Sequence, residues 1–190
     1  MNIKAAILSG GKASRFSGFP KGELLIDANT SIIRHLLNEI VVAGVSKTLI
    51  VANDFTLYEK HGVPVIQDMR QDIGPLAGIE TALNYYPETD ATLFMPCDLP
   101  NISSLEINIL VAEFLASNAE VIFATTNNGN NEHPLCGVIK NSVLPIVSQA
   151  LDQGIRKVRE MWQILNTQTI DFKNEQTFLN INTVDDLLNF

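Results

Sequence analysis

The chain has 190 residues, of which 46% are hydrophobic and 18% charged, and its formal net charge is -8. This length and composition predict one globular domain and exclude an intrinsically disordered chain, whereas the acidic balance excludes a duplex nucleic-acid-binding protein that needs a broad basic face. No apolar run approaches the ~20 residues of a membrane span and the N-terminus lacks a signal-peptide layout, so we predict a cytoplasmic protein.

The predicted elements alternate between strand and helix, which indicates an α/β fold with a mostly parallel sheet. The strands of the first half, which are short apolar runs, are predicted at 4–8, 48–52, 63–66 and 91–95. The helices between them are predicted at 32–41, at 55–60 and from Pro75 to about residue 83. Pro64 predicts that the third strand begins there or lies at an edge of the sheet.

The second half continues the alternation. A helix is predicted to start after Ser103 or Ser104 and to run to about Ser117. The remaining elements are predicted as strands at 120–124, 135–139 and 167–172 and as helices at 143–151, 155–165 and 184–189. Together these elements predict a single α/β domain with helices on both faces of the sheet.

A glycine pair directly follows the first predicted strand. Three cations come after it and before the first acidic residue of the chain, and the run contains Gly10, Gly11, Lys12, Arg15, Lys21 and Glu23. A glycine turn with free N–H groups beside cations suits a polyphosphate. The spacing fits neither a P-loop nor a G-x-G-x-x-G motif, and a tight turn with incidental surface cations is the alternative.

Two aspartates follow other predicted strands. Asp68 comes after the third strand and Asp98 after the fourth, so both should lie at the carboxyl rim with the glycine loop. Asp98 is suited to Mg²⁺, which takes one or two carboxylates and completes its shell with water and phosphate oxygens. Asp68 could accept hydrogen bonds from a base or ribose, or take part in the outer shell of the metal. The alternative for both is an ordinary turn aspartate.

Three further features could serve the same site. Gly74 to Gly78 gives a small-residue helix start near the rim. Asn180 and Asn182 alternate like strand residues and could contact a second substrate, although Asn182 could equally cap a helix. The three histidines, which have no partner that would suggest a catalytic triad, are interpreted as structural: His35, His61 and His133.

Four motifs together resemble the molybdenum cofactor guanylyltransferase family. They are an L-x-G-G-x-x-x-R…K-G pattern from Leu8 to Gly22, Gly74-Pro75-Leu76-Ala77-Gly78, Pro96-Cys97-Asp98, and Asn180-Ile181-Asn182-Thr183. The resemblance covers nearly the whole chain in order. The chain departs from the family pattern at Ser9, where alanine is usual, and at Pro20, where aspartate is common.

The resemblance implies a Rossmann-like nucleotidyltransferase fold. It implies that residues 1–100 mainly bind the nucleotide and residues 101–190 mainly bind the acceptor. The expected nucleotide-binding residues are Leu8, Ser9, Gly10, Gly11, Lys12, Lys21, Asp68, Gly78 and Asp98. The expected catalytic residues are Arg15, Lys21 and Asp98, with Asp98 also holding Mg²⁺, and the expected acceptor-binding residues are Asn180 and Asn182.

The resemblance also implies the reaction. GMP would pass from GTP to the phosphate of molybdopterin, with release of pyrophosphate and formation of molybdopterin guanine dinucleotide. Neither a protein nucleophile nor a general base is needed, because the attacking phosphate is already ionised. Transient contact with other molybdenum-cofactor proteins is expected. The alternatives are a CTP-dependent or sugar-phosphate nucleotidyltransferase of the same fold and a catalytically inactive GTP-binding adaptor.

Overall fold

The computed structural model describes residues 1–10, 20–181 and 186. The strands are β1 (Ile3–Leu8), β2 (Thr48–Val51), β3 (Val65–Ile66), β4 (Ala91–Pro96), β5 (Val121–Thr126), β6 (Asn131–Lys140) and β7 (Thr167–Phe172). The helices are α1 (Ile32–Val42), α2 (Pro75–Tyr85), α3 (Ser104–Ala116), α4 (Leu144–Asp152) and α5 (Val158–Trp162). No helix in this part of the chain is long and apolar enough to cross a membrane.

The strands form one seven-stranded sheet in the order β3-β2-β1-β4-β6-β5-β7. β1 pairs in parallel with β2 and β4, β2 with β3, and β5 with β7, whereas β6 runs antiparallel to β4 and β5. The predicted mostly parallel sheet and the edge position of β3 are confirmed. The carboxyl ends of β1 to β4 therefore meet at one rim.

Helices cover both faces because successive strand residues point to opposite sides. Ala5 and Ile7 pack in one core with α1 and α3, while Ala6 and Leu8 pack in the other with α2, α4 and α5. α3 starts where the sequence predicted, since Ser103 and Glu106 form a reciprocal capping box. The chain is a single α/β domain, as predicted.

Some predicted elements differ from the structure. The helix predicted at 155–165 is only Val158–Trp162, because residues 163–166 lead directly into β7 and Thr167 Oγ1 donates to the carbonyl of Trp162 at 2.7 Å. The helix predicted at 55–60 consists of two 3₁₀ turns, Phe55–Leu57 and Glu59–His61. β6 begins four residues earlier than predicted. The helix predicted at 184–189 lies outside the described residues, apart from residue 186.

Candidate nucleotide site

Backbone hydrogen bonds align the carboxyl ends of the parallel strands β1, β2 and β4 at the rim. Ser9 N–H donates to the carbonyl of Val51 at 2.8 Å, and Cys97 N–H donates to the carbonyl of Leu8 at 3.1 Å. The residues that follow β1, β2 and β4 are therefore neighbours. Gly10, Asn53 and Asp98 come directly after these ends. From the sequence, Asn53 is predicted only as a candidate cap for the turn that follows it and not as a site residue.

Asp68 lies between the glycine loop and helix α2. A Cβ atom placed on Gly10 would lie 3.4 Å from Asp68 Oδ2, and one placed on Gly78 would lie 3.2 Å from Asp68 Oδ1. Asp68 Oδ1 is buried without a hydrogen-bond partner in the described structure. Burial raises the pKa of the Asp68 carboxyl. The absence of a side chain at Gly10 and Gly78 thus lets the Asp68 carboxylate pack closely between them, with one acceptor oxygen that has no hydrogen-bond partner in the described structure.

The two residues after Asp68 anchor its loop to helices α2 and α4. Met69 N–H donates to Thr81 Oγ1 at 2.9 Å. Arg70 donates to both carboxylate oxygens of Glu80, at 2.8 and 3.0 Å, and also to Asp152 at 2.6 Å. A bidentate guanidinium–carboxylate pair fixes orientation as well as distance. Asp68 is therefore presented from a loop held against α2 and α4.

Asp98 and Lys21 face each other at the end of β4. Lys21 Nζ lies 3.7 Å from Asp98 Oδ2, and both side chains are about one-fifth exposed, at 22% and 19%. Asp98 Oδ1 is buried and lacks a hydrogen-bond partner in the described residues. Burial raises the pKa of the Asp98 carboxyl, and the nearby Lys21 ammonium offsets this only in part. An acceptor-only oxygen in this position suits a cation or a donor from a ligand.

The donor set at Asp98 fits a hard divalent ion such as Mg²⁺. Among residues 1–10, 20–181 and 186, no group of three or more His, Cys, Asp or Glu side chains is arranged to hold a metal. Mg²⁺ does not need such a cage, because it commonly binds one or two carboxylates and takes its other oxygens from water and substrate phosphates. The unsatisfied oxygen of Asp98 is therefore compatible with it.

Lys21 is presented by a single 3₁₀ turn, Lys21–Glu23. Pro20 begins this turn with φ -69° and accepts the Glu23 N–H at 3.0 Å, a geometry that suits proline. Gly22 packs against α1, and a Cβ atom there would lie 2.5 Å from Ile33 Cγ1. The turn is thus tightly seated on the core beside Asp98.

Two buried side chains near this turn were not predicted as part of the site. Tyr58 Oη accepts a hydrogen bond from Ser9 Oγ at 2.6 Å, and His61 Nε2 lies 2.6 Å from Glu23 Oε1. The sequence analysis interpreted His61 as structural and did not predict its pairing with Glu23. Its partner is 38 residues away in the chain, so no local pattern could reveal the pair.

Asn180 lies next to Asp98, but not in a strand. The segment 179–181 follows the 3₁₀ turn Glu175–Phe178, and Ile181 N–H donates to the carbonyl of Asp98 at 3.0 Å. The described residues 179–181 belong to none of the strands, and the predicted role of Asn180 and Asn182 toward a second substrate stays a prediction. Asn180 is exposed. The other predicted site residues, Gly11, Lys12, Arg15 and Asn182, lie outside the described residues.

A mostly parallel α/β sheet that brings Gly10, Asp68, Asp98 and Lys21 to its carboxyl rim indicates a protein of the nucleotidyltransferase class. The family model of the MobA-like NTP transferase domain matches residues 5–168. The chain belongs to this family, which confirms the resemblance drawn from its four motifs.

Individual relatives match the chain over almost its full length. The molybdenum cofactor guanylyltransferase of Histophilus somni (strain 129Pt) is 30% identical over 188 residues, which cover 97% of this chain and 94% of that protein. The enzyme of the same name from Yersinia pseudotuberculosis serotype O:1b is 32% identical over 97% of this chain and 93% of that protein. The solved structure of molybdopterin-guanine dinucleotide biosynthesis protein A from Archaeoglobus fulgidus superposes with TM-score 0.78 at 25% identity, covering 98% and 95% of the two chains.

Proposed function

We propose that this chain transfers GMP from GTP to the phosphate of molybdopterin, forming molybdopterin guanine dinucleotide and releasing pyrophosphate. The names of its full-length relatives support the reaction. The observation that carries the proposal is the pair of Asp98 and Lys21 at the end of β4, with one carboxylate oxygen buried and unsatisfied in the described structure. A pair of this kind can serve a phosphate chain and its counter-ion together.

The nucleotide would bind along the rim from the glycine loop to α2. Backbone N–H groups of Gly10 and Gly11 would hold phosphate oxygens, assisted by Lys12 and by the neighbouring Leu8 and Ser9. Asp68 would accept hydrogen bonds from the base or ribose, which is supported by its position between Gly10 and Gly78 and by its carboxylate oxygen that has no hydrogen-bond partner in the described structure. The position of Asp68 supports only the contact proposed for Asp68, and the phosphate contacts follow from the family resemblance.

The chemical step would be a direct displacement at the α-phosphorus of GTP. An ionised oxygen of the acceptor phosphate forms the new P–O bond, and the bond to the bridging oxygen of the β-phosphate breaks. Pyrophosphate leaves with that electron pair. Lys21 and Arg15 would neutralise the charge on the phosphates, and Asp98 would hold the metal. Mg²⁺, when bound, would supply Lewis-acid stabilisation of the phosphate oxygens.

The acceptor would approach from the C-terminal half of the chain. Asn180 is brought beside the β4 end by the hydrogen bond from Ile181 to Asp98, which supports a role for Asn180 and Asn182 in binding it. We propose accordingly that residues 1–100 mainly bind GTP and residues 101–190 mainly bind molybdopterin. The protein would act in the cytoplasm, in transient contact with other molybdenum-cofactor proteins.

The test is separate Asp98→Ala and Lys21→Ala substitutions, assayed by pyrophosphate release from GTP with molybdopterin. Loss of a preorganised electrostatic contact should lower turnover by about 10²-fold or more in each variant. Lys47→Ala is the matched control, because Lys47 is an exposed lysine that precedes β2 at the opposite end of the strand. Near-normal turnover in both site variants would contradict the mechanism.

Nucleotide choice can be tested without the acceptor. Thermal unfolding with Mg²⁺ and each of GTP, CTP, ATP and UTP should show the largest stabilisation with GTP, because a ligand that binds only the folded state raises the melting temperature. Stabilisation by CTP alone would favour the CTP-dependent alternative. GTP binding without pyrophosphate release in the presence of molybdopterin would favour an inactive adaptor.

A further inference from the structure

The segment Tyr58–His61 contacts the residues on either side of the glycine loop, namely Ser9 before it and Glu23 after it. At one end, Tyr58 accepts a hydrogen bond from Ser9, which directly precedes Gly10. At the other end, His61 pairs with Glu23, two residues after Lys21. We refer to Tyr58–His61 as the brace. The brace lies between β2 and β3, and none of its residues is among the predicted nucleotide-binding or catalytic residues.

Three of the four side chains that make the contacts of the brace are buried, and the fourth, Ser9, is half-buried. Tyr58 is 2% exposed, and the side chains of His61 and Glu23 are 3% and 6% exposed. Hydrogen bonds are stronger in such surroundings than in water, and a group left unpaired there is costly. The brace is also internally rigid: the rings of Tyr58 and His61 stack with centroids 6.4 Å apart, and His61 N–H donates to the Tyr58 carbonyl at 3.0 Å.

The donor in the contact between His61 and Glu23 follows from the chemistry of the partners, whereas Ser9 and Tyr58 are both hydroxyl groups and either can donate. A carboxylate can only accept, so His61 Nε2 carries the proton that it donates to Glu23 Oε1. Lys60 Nζ pairs with the second oxygen, Glu23 Oε2. Ser9 is held twice, by its side chain to Tyr58 and by its N–H to the Val51 carbonyl. Both ends are thus held by direct contacts, although His61 Nδ1 is buried without a hydrogen-bond partner in the described structure.

We propose that Tyr58, His61 and Glu23 are positioning residues that hold Gly10 and Lys21 in the arrangement a bound nucleoside triphosphate requires. The inference rests on the proposed function, which places the phosphates between these two residues. Neither Tyr58 nor His61 alone holds both ends, because each of them contacts only one end. The two contacts act through one short segment, which links the start and the end of the phosphate-binding region.

The first test is Tyr58→Phe, which removes the hydroxyl and keeps the ring. The loss of one buried hydrogen bond should raise the KM for GTP by about five-fold, with kcat within about two-fold of wild type. Tyr86→Phe is the matched control, because Tyr86 is a buried tyrosine of the other core. It should leave the KM for GTP unchanged.

The second test compares two substitutions of His61. His61→Gln retains an amide donor that can reach Glu23, whereas His61→Leu fills the space without a donor. The glutamine variant should keep its KM for GTP within about two-fold of wild type, and the leucine variant should raise it by about ten-fold or more. A purely structural role would lower the melting temperature without separating KM from kcat in this order.

Calorimetric titration of each folded variant with GTP and Mg²⁺ completes the experiment. Weaker GTP binding by Tyr58→Phe and His61→Leu, with rescue in His61→Gln, supports the proposal. Unchanged GTP affinity and KM in these variants, beside a wild type that binds GTP, overturn it while leaving the proposed function standing. A wild type that binds no GTP contradicts the proposed function, and with it this inference.

Discussion

Gly22→Ala should displace the turn that presents Lys21. Gly22 is buried and lacks a positive φ, so alanine is compatible with its backbone conformation. The added methyl is not compatible with its surroundings, because its carbon would lie 2.5 Å from Ile33 Cγ1 and 3.0 Å from Ile33 Cδ1. Carbon atoms in contact normally sit ~3.5–4.0 Å apart, so the overlap amounts to about 1 Å.

The magnitude follows from how little Ile33 can yield. Ile33 is fully buried in α1, and a β-branched side chain in a helix has one strongly preferred rotamer. Overpacking of this kind typically destabilises by about 1–3 kcal/mol. Replacing glycine offsets up to about 1 kcal/mol of that through the unfolded chain, so we expect a net loss of about 1–2 kcal/mol. A displacement of Lys21 by about 1 Å could lower kcat/KM by as much as 10²-fold.

The assay combines urea unfolding with pyrophosphate release over a range of GTP concentrations. Gly129→Ala is the control, because Gly129 has φ +81° and open space around its Cβ position in a turn between β5 and β6. It should lose about 1–2 kcal/mol through backbone strain alone, without a change in KM for GTP. The reasoning is refuted if Gly22→Ala unfolds within about 0.5 kcal/mol of wild type and keeps its kcat/KM within two-fold.

Gly78→Ala should separate stability from binding: alanine favours the helix by up to about 1 kcal/mol, but its Cβ would lie 3.2 Å from Asp68 Oδ1. The same Cβ would lie 3.2 Å from Leu8 Cδ2, so tighter packing offsets the gain in helix propensity. We expect stability within about 1 kcal/mol of wild type with a KM for GTP raised by about ten-fold, and an unchanged KM would contradict the placement of Asp68 in the site. Burial lowers the pKa of His133, so the folded state resists a proton that the unfolded chain takes up near pH 6.5. The free energy of unfolding should therefore fall as the pH drops below about 6.5. Urea unfolding of His133→Gln should show a smaller fall than wild type between about pH 7.5 and 5. An equal fall in the two proteins would contradict a contribution from His133.

The sequence predicted the rim residues because their positions depend on local order. Parallel strands place the residues after their ends at one edge, so the glycine loop, Asp68 and Asp98 could be brought together from strand predictions alone. Apolar runs of four to six residues fixed β1, β2 and β4 to within one residue. Pro64, which directly precedes β3, predicted an edge strand or a strand start, and Ser103 predicted the start of α3.

Other features depend on contacts that no window of the sequence contains. Glu23 and His61 form a buried pair across 38 residues, and Ser9 meets Tyr58 across 49. Asn180 and Asn182 alternate like strand residues in the sequence. In the structure, residues 179–181 lie outside the strands, and the Ile181 N–H donates to the Asp98 carbonyl. The apolar periodicity of 155–165 continues past the end of α5, where pairing of β7 with β5 takes over the chain. Tertiary pairing overrides local pattern in these cases.

The most direct measurement is a mass spectrum of the product formed by the purified protein from GTP and molybdopterin with Mg²⁺. The proposed function predicts a new species equal in mass to molybdopterin plus GMP less water, formed together with one equivalent of pyrophosphate. The Asp98→Ala variant should form it at least about 10²-fold more slowly. Unreacted GTP and molybdopterin, or a product that forms only when CTP replaces GTP, would contradict the assignment.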